Sequence, residues 1–304
     1  MTTTAEREAL RAWLVDHGWL RLTSVDGVVA RTGPFVEVER ALGALTARLG
    51  ADQGATVLRF PPLFPRASYE LTDYLASFPQ LTGSVSSFDG DERAAAHLVE
   101  LQLAGEPWAE ELVPTDLMLV SAACHPAYQL YAGTTLDAPL RLDVEGWCFR
   151  REPSPDPARM QCFRMHEYVF IGDAEGALAH RDRWLDTAEE TLVRLGLPAA
   201  REVANDPFFG RAGRMLAANQ RTEELKFEVV VPLYGADAPG TAVASSNFHR
   251  DHFGHNFAIA QADGSPAQSA CVGFGTERIV VALARHLGPD PDTWPEESRE
   301  LLWP

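Results

Sequence analysis

The chain has 304 residues, 46% of them hydrophobic and 23% charged, which provides for a sizeable core and excludes a disordered chain. Its net charge of −17 argues against a non-specific nucleic-acid binder, because phosphate backbones are held by Lys and Arg. No run approaches the ~20 apolar residues of a membrane span, and the opening MTTTAEREALRAWL has no apolar leader core, so a cytoplasmic location is expected.

In chain order, residues 5–16 space their apolar positions as one helical face and predict an amphipathic helix. A hairpin is predicted after this helix, with Asp26-Gly27 as its turn signal. Residues 36–49 predict a second helix. The stretch 56–70 (TVLRFPPLFPRASYE) predicts a strand that must leave its sheet at the prolines, which have no N–H to give. Residues 91–104 predict a helix, and 117–124 (LMLVSAAC) a buried strand. Residues 144–152 and 160–172 predict the arms of a long antiparallel hairpin around the proline-rich loop PSPDPAR. The longest helical pattern covers 174–195. Strands are expected over 224–233, 240–248 and 269–275, then a helix over 276–287. Hairpin-paired strands with helices between them predict an α+β fold around an antiparallel sheet flanked by helices. Neither GxGxxG nor a P-loop occurs, so the two common nucleotide-binding fingerprints are absent.

Alternate residues of a strand share a face. Cys148, Arg150 and Glu152 are therefore expected to point one way, and Cys162, Arg164, His166 and Tyr168 to share a face on the partner strand. Arginines for phosphates, a carboxylate for an amine and a ring for stacking suit a nucleotide; a solvated sheet face with cross-strand ion pairs has the same composition. Arg278 falls in the first turn of the last predicted helix, where it opposes the helix dipole unless an anion sits nearby. The four cysteines, Cys124, Cys148, Cys162 and Cys271, are widely spaced, and without an export signal they are expected to be free thiols or metal ligands.

Several stretches carry a family resemblance. FRRE, a loop and FRMHEY resemble motif 2 of class II aminoacyl-tRNA synthetases; GFGTER resembles motif 3, and LRFPPLFPRASYE resembles motif 1, the usual dimer element. ELKFE and ASSNF resemble segments of the zinc-containing methanogen type of seryl-tRNA synthetase. The residues ahead of motif 1 show no sustained heptads of a tRNA-binding coiled coil. SFPQLTGSV, CHPAY, NDPFFGR and NFHRDHFG resemble the amino acid:carrier-protein ligases, which activate glycine or alanine with ATP and pass it to a carrier's phosphopantetheine thiol.

That resemblance, which covers roughly residues 55–287, implies one class II synthetase-like catalytic domain over 1–304. Within it, 1–54 is a helical and hairpin extension and 174–221 a helical insertion. The resemblance implies one Zn2+ per subunit on Cys124, Glu167 and Cys271, with the substrate amino group in the fourth position, and Mg2+ with ATP on Glu228. It assigns Arg150 to the α-phosphate and Arg278 to the γ-phosphate. Glu152, with the backbone around Arg159 and Met160, reads the adenine, and Tyr168 stacks on it. Glu167, Ser245, Ser246 and Asn247 face the amino acid. Strict alternation, however, puts Glu167 opposite Arg164 and Tyr168, so a bulge is needed there, or else His125 or His166 becomes the third ligand. Cys148 and Cys162 are expected to be packing residues. The implied partners are ATP, a small amino acid, an acidic carrier protein and a second subunit, with no tRNA and no membrane. The helix 174–195 and Arg201, Arg211, Arg214 and Arg221 are candidates for carrier docking. Two other readings are a truncated seryl-tRNA synthetase paralogue and an inactive, regulatory synthetase-like protein.

Overall fold

A computed structural model describes residues 4–204, 224–235 and 238–304. The chain opens with α1 (Thr4–Asp16), the hairpin β1 (Leu20–Leu22) and β2 (Val29–Arg31), and α2 (Gly33–Leu49). Next come β3 (Thr56–Arg59), β4 (Leu63–Pro65), α3 (Arg66–Glu70), α4 (Tyr74–Ser77), β5 (Ser84–Ser87), α5 (Glu92–Ala104), β6 (Val113–Leu119) and α6 (His125–Leu130). The central hairpin is β7 (Leu140–Phe149) and β8 (Cys162–Gly172), followed by α7 (Ala174–Arg194) and β9 (Ala200–Val203). The final part is β10 (Lys226–Val231), β11 (Thr241–Arg250), α8 (His252–Asn256), β12 (Gln268–Gly275), α9 (Thr276–Leu287) and α10 (Glu296–Leu302).

Seven strands form the main sheet in the order β3-β7-β8-β12-β11-β10-β9. Every neighbouring pair is antiparallel except β3 with β7. The prolines after β3 act as expected: the chain leaves this sheet and β4 joins a second one, ordered β4-β6-β5. The stretch 117–124 departs from its expectation. β6 lies in the small sheet and ends at Leu119, and residues 121–124 form a turn instead of a strand. The turn is held by a side chain: the Ala123 and Cys124 amides donate to Glu167 Oε1 at 2.8 and 3.3 Å.

β8 pairs continuously with β7 and β12, so its alternation is strict. Its even-numbered side chains meet the helices. Tyr168 stacks on Trp184 of α7 with centroids 3.9 Å apart, and its hydroxyl donates to the Thr46 carbonyl of α2 at 2.6 Å. His166 lies between Thr46 Oγ1 at 2.8 Å and Asp143 Oδ1 at 2.9 Å. Around them one apolar cluster joins Leu14, Trp19 and Phe35 of the N-terminal stretch to Trp184, Phe274 and Ile279. The first 54 residues thus share the core of the main sheet. On the other face, Val169 and Ile171 of β8 pack with Tyr128, Phe253 and Cys148 in a second cluster. No helix among the described residues is long and apolar enough to cross a membrane.

His180 on α7 lies 3.0 Å from the Tyr168 carbonyl, and burial holds its imidazole down at about 4 from an ordinary 6.5. Above pH 6.5 both folded and unfolded chains are neutral there. Between 6.5 and 4 the unfolded chain gains a proton that the native chain refuses, so stability falls as pH falls through that window. The loss attributable to His180 is at most about 3.5 kcal/mol, at about 1.4 kcal/mol per pH unit. His180→Gln should reduce the difference between denaturant midpoints measured at about pH 7 and about pH 4.5; an unchanged difference removes His180 as its source.

Candidate active site

A cavity of about 990 Å³ opens on the sheet face that carries the odd-numbered residues of β8. Phe163, Met165 and Glu167 line it, whereas Arg164, His166 and Tyr168 do not. Glu167 therefore reaches the site with no bulge in β8, and neither His125 nor His166 is needed to replace it. The expectation fails instead at Tyr168. Its ring is 1% exposed, on the opposite face, so it cannot stack on a ligand in this cavity. Phe163 is an aromatic residue of β8 that does line the cavity, its ring centroid 5.4 Å from the Arg150 guanidinium carbon. Parity with Glu167 was the available signal. Tyr168→Phe should cost about 1 kcal/mol of stability for the lost hydroxyl bond and leave the affinity of the cavity for a nucleotide unaltered; weakened binding in a variant with native melting would restore Tyr168 to the site.

Arg164 also belongs to the helix side. It stacks over Trp147 at 5.3 Å, pairs with Glu39, and its backbone N–H donates to Glu277 Oε2 at 2.7 Å. Arg150 and Glu152 lie beyond the end of β7, so strand alternation does not govern them, yet both line the cavity. The Arg150 amide donates to the Gln161 carbonyl at 2.9 Å and its Nε to the Ser121 carbonyl at 3.2 Å. Glu152 pairs with Arg159 at 3.2 Å, and Met160 lines the wall. Arg159 is absent from the lining and reaches the site through Glu152.

The loop between β7 and β8 is fastened from behind. Asp156, 4% exposed, accepts from the Ala158 amide at 2.9 Å, pairs with Arg7 of α1 and takes the Tyr234 hydroxyl. Gln161 donates its amide to the Gly27 carbonyl and its side chain to the Asp26 carbonyl, both at 2.8 Å. Gly27 has φ +77°, and a Cβ there would lie 3.0 Å from Gln161 Cγ, so the turn requires glycine. The Ala158 carbonyl, so placed, accepts from Arg278 Nε at 2.8 Å while the Ala242 carbonyl accepts from Arg278 Nη1 at 3.0 Å. Burial, with Arg159 and Arg150 nearby, lowers Arg278 to about 10, so it still carries its charge at neutral pH. An immobilised guanidinium in the first turn of α9 is a ready partner for an anion.

Farther along the cavity, ligand atoms of Cys124, Glu167 and Cys271 lie within 4.8 Å of one another, and all three residues are buried. Cys271 is the thiol that ionises first. Cys124 donates to it, and His249 Nε2 and Asn247 Nδ2 face its sulfur at 3.5 and 3.8 Å. The Cys124 thiol is correspondingly pushed up by Cys271 and by burial, and burial with the Cys271 charge raises Glu167 to about 8. Three potential anions converge here, and ionising one raises the cost of ionising its neighbours. A divalent cation would offset that cost and stabilise all three groups together. Two thiolates and one carboxylate suit zinc and leave a tetrahedral position open.

Of the remaining expected residues, Glu228, Ser245 and Asn247 line the cavity, Glu228 paired with Lys226 at 3.1 Å. Ser246 does not: it is fully buried, and its hydroxyl donates to the Arg181 carbonyl at 2.9 Å on the helix side. Alternation along β11 accounts for this correction. Cys148 is buried in the second cluster, whereas Cys162 is exposed, so only the former packs fully. Among the carrier-docking candidates, Arg201 pairs with Asp186 and Glu189. Arg211, Arg214 and Arg221, with the NDPFFGR stretch, lie outside the described residues.

The fold resembles known catalytic cores. The Methanopyrus kandleri seryl-tRNA synthetase, solved with an Aquifex aeolicus tRNA, superposes with a TM-score of 0.82 at 24% identity, over 96% of this chain and 60% of that one. The Pyrococcus horikoshii seryl-tRNA synthetase complexed with ATP gives 0.70 at 15%, over 96% and 62%. This chain thus spans about three fifths of those synthetases' length, and the fold is that of a class II aminoacyl-tRNA-synthetase core. No protein-family model matches. Two curated relatives are amino acid–acyl-carrier-protein ligases 1 and 2 of Bradyrhizobium diazoefficiens. Ligase 1 is 42% identical over 279 residues, 91% of this chain and 85% of that protein; ligase 2 is 43% identical over 278 residues, 91% and 83%. The chain belongs to the amino acid–acyl-carrier-protein ligase family.

Proposed function

We propose that this ligase uses ATP with Mg2+ to convert a small amino acid, glycine or alanine, into an aminoacyl adenylate, then transfers the aminoacyl group to the phosphopantetheine thiol of a small carrier protein. The observation that carries this reading is one cavity lined by two separate sets of groups: Arg150 and Arg278 in one part, and Cys124, Glu167 and Cys271 farther along. The first set suits a polyphosphate. The second suits a metal-held amine. Family membership supplies the acceptor: the two Bradyrhizobium relatives are named for acyl-carrier protein.

In this mechanism Arg150 contacts the α-phosphate and stabilises the charge that grows there as the amino acid carboxylate attacks. Arg278 holds the γ-phosphate, its two carbonyl contacts fixing the fork in advance. Glu152 and the backbone at Met160 meet the adenine, with Arg159 orienting Glu152 and Phe163 offering a ring face. Glu228 would hold Mg2+, which would offset the charge of the phosphates. Zinc on Cys124, Glu167 and Cys271 would act as a Lewis acid for the substrate's amino group. Asn247 and Ser245 flank the amino acid. Nothing here needs a side-chain nucleophile, so positioning does most of the work. We read the whole chain as one catalytic unit, with the N-terminal stretch bracing the β7–β8 loop and α7 covering the sheet, and its oligomer as a homodimer through the β3–α3 stretch.

The test is ATP–pyrophosphate exchange with each standard amino acid, on protein of measured zinc content, followed by transfer to a phosphopantetheinylated carrier. Exchange with glycine or alanine and labelled carrier are expected. Exchange with serine and no labelled carrier would favour the seryl-synthetase paralogue; no exchange from folded, zinc-loaded protein would favour an inactive one.

A further inference from the structure

The cavity runs along β11 and continues past the groups assigned to ATP and its amino acid. Its near end is fixed by Ala242, whose carbonyl holds Arg278, and its middle by Asn247, which faces Cys271. The lining continues past these through His249 to His252, His255 and Asn256 of α8. At about 3.3 Å per residue, the stretch from Ala242 to His249 alone spans roughly 23 Å. A register shift between Phe248 and Arg250, with Arg250 at φ +56°, ends β11 and turns the chain into α8. Such breaks re-aim side chains beside a site.

At this far end three imidazoles surround one ring. Phe253 lies 4.9 Å from His252, 5.0 Å from His249 and 5.8 Å from His125, measured between centroids. His249 is in contact with Cys271, so this end adjoins the proposed amine-binding cluster. His125 Nδ1 is buried in the cavity wall with no hydrogen-bond partner, a polar atom that a ligand could satisfy. His252 is the outer one of the three, its side chain 38% exposed. Its Nε2 lies 3.4 Å from the Thr72 carbonyl and 3.9 Å from Asp73 Oδ2. Asp73 is itself held by Asn256 Nδ2 at 3.0 Å. A ring donating from Nε2 towards Thr72 keeps its lone pair on Nδ1, and the carboxylate offsets the charge of an imidazolium.

We propose that this histidine-lined end admits the acceptor thiol, and that His252, backed by Asp73, is the general base that takes the thiol proton. The inference rests on the carrier-ligase reading above. In the step, the S–H proton passes to His252 and the sulfur attacks the carbonyl carbon of the aminoacyl adenylate. A C–S bond forms, the C–O bond to phosphate breaks, and AMP leaves with the electron pair. The thiolate, not the thiol, is the nucleophile, so a base matters most for thiols of ordinary acidity.

The experiment compares wild type with His252→Gln and His252→Ala, using two acceptors, pantetheine and the more acidic trifluoroethanethiol, alongside ATP–pyrophosphate exchange. Loss of a general base costs about 10²–10⁴-fold. Transfer to pantetheine should therefore fall at least tenfold further than exchange, and the defect should shrink with trifluoroethanethiol. Asp73→Asn should give a smaller defect of the same kind. Transfer and exchange falling together, or an equal defect with both thiols, would overturn the assignment of His252 as base. Transfer by the variants at the wild-type rate would overturn the whole proposal. If wild type itself aminoacylates neither pantetheine nor a phosphopantetheinylated carrier, the carrier-ligase reading fails first and this inference with it.

Discussion

Arg150→Ala will lower ATP–pyrophosphate exchange by at least about 100-fold, the usual loss when one donor to developing transition-state charge is removed. The size of the effect follows from how the side chain is held. Its backbone is tied to Gln161, its Nε to the Ser121 carbonyl, and its guanidinium stands over Phe163. No reorganisation is then needed as charge develops. Arg150→Lys keeps the charge but not the planar fork and should recover only a small part of the activity. Removing Arg150 should change the melting temperature little, since the residue lies past the end of β7 and lines a cavity. Exchange at the wild-type rate in a folded Arg150→Ala protein would refute its role at the α-phosphate.

Cys271→Ser and Cys124→Ser will each lower zinc affinity by at least about 100-fold, given that losing a metal ligand's supporting hydrogen bond alone costs about 10–100-fold. Exchange should fall with metal content. Cys148 provides the control: it is buried at a similar depth in the same apolar cluster as Cys124 and Cys271, but it is not one of the three converging donors. Cys148→Ser should keep its zinc. Metal analysis of the purified variants checks both statements, and removal of zinc by a chelator followed by its return should abolish and restore exchange. Full zinc occupancy in Cys271→Ser would show that the three residues are not the ligand set. Asn247 and His249 sharpen the prediction, because both face the Cys271 sulfur and favour its ionised form.

The sequence by itself determined the α+β architecture, because the period of its apolar residues changes from helical to alternating at the places where the elements change. It also determined the positions of the prolines that expel the chain from the main sheet after β3, since a missing N–H is a local property. The stretches around Arg150, Arg278, Cys124 and Cys271 were legible as family resemblances, whereas nothing local in the sequence tied Cys124 to Cys271. Parity along β8 was legible too, and it separated Glu167 from Tyr168. Which of the two faces the cavity was not, because alternation defines two faces without saying which is covered by α2 and α7. The packing of Trp184 on Tyr168 decided that, and the same covering took Ser246 out of the site. Only the tertiary structure brought Arg7, Asp26, Gly27 and Tyr234 against Asp156 and Gln161 of the β7–β8 loop, and only it set His125 on the Phe253 ring beside His249 and His252. The partners in each contact come from segments far apart in the chain, and no local pattern encodes their proximity.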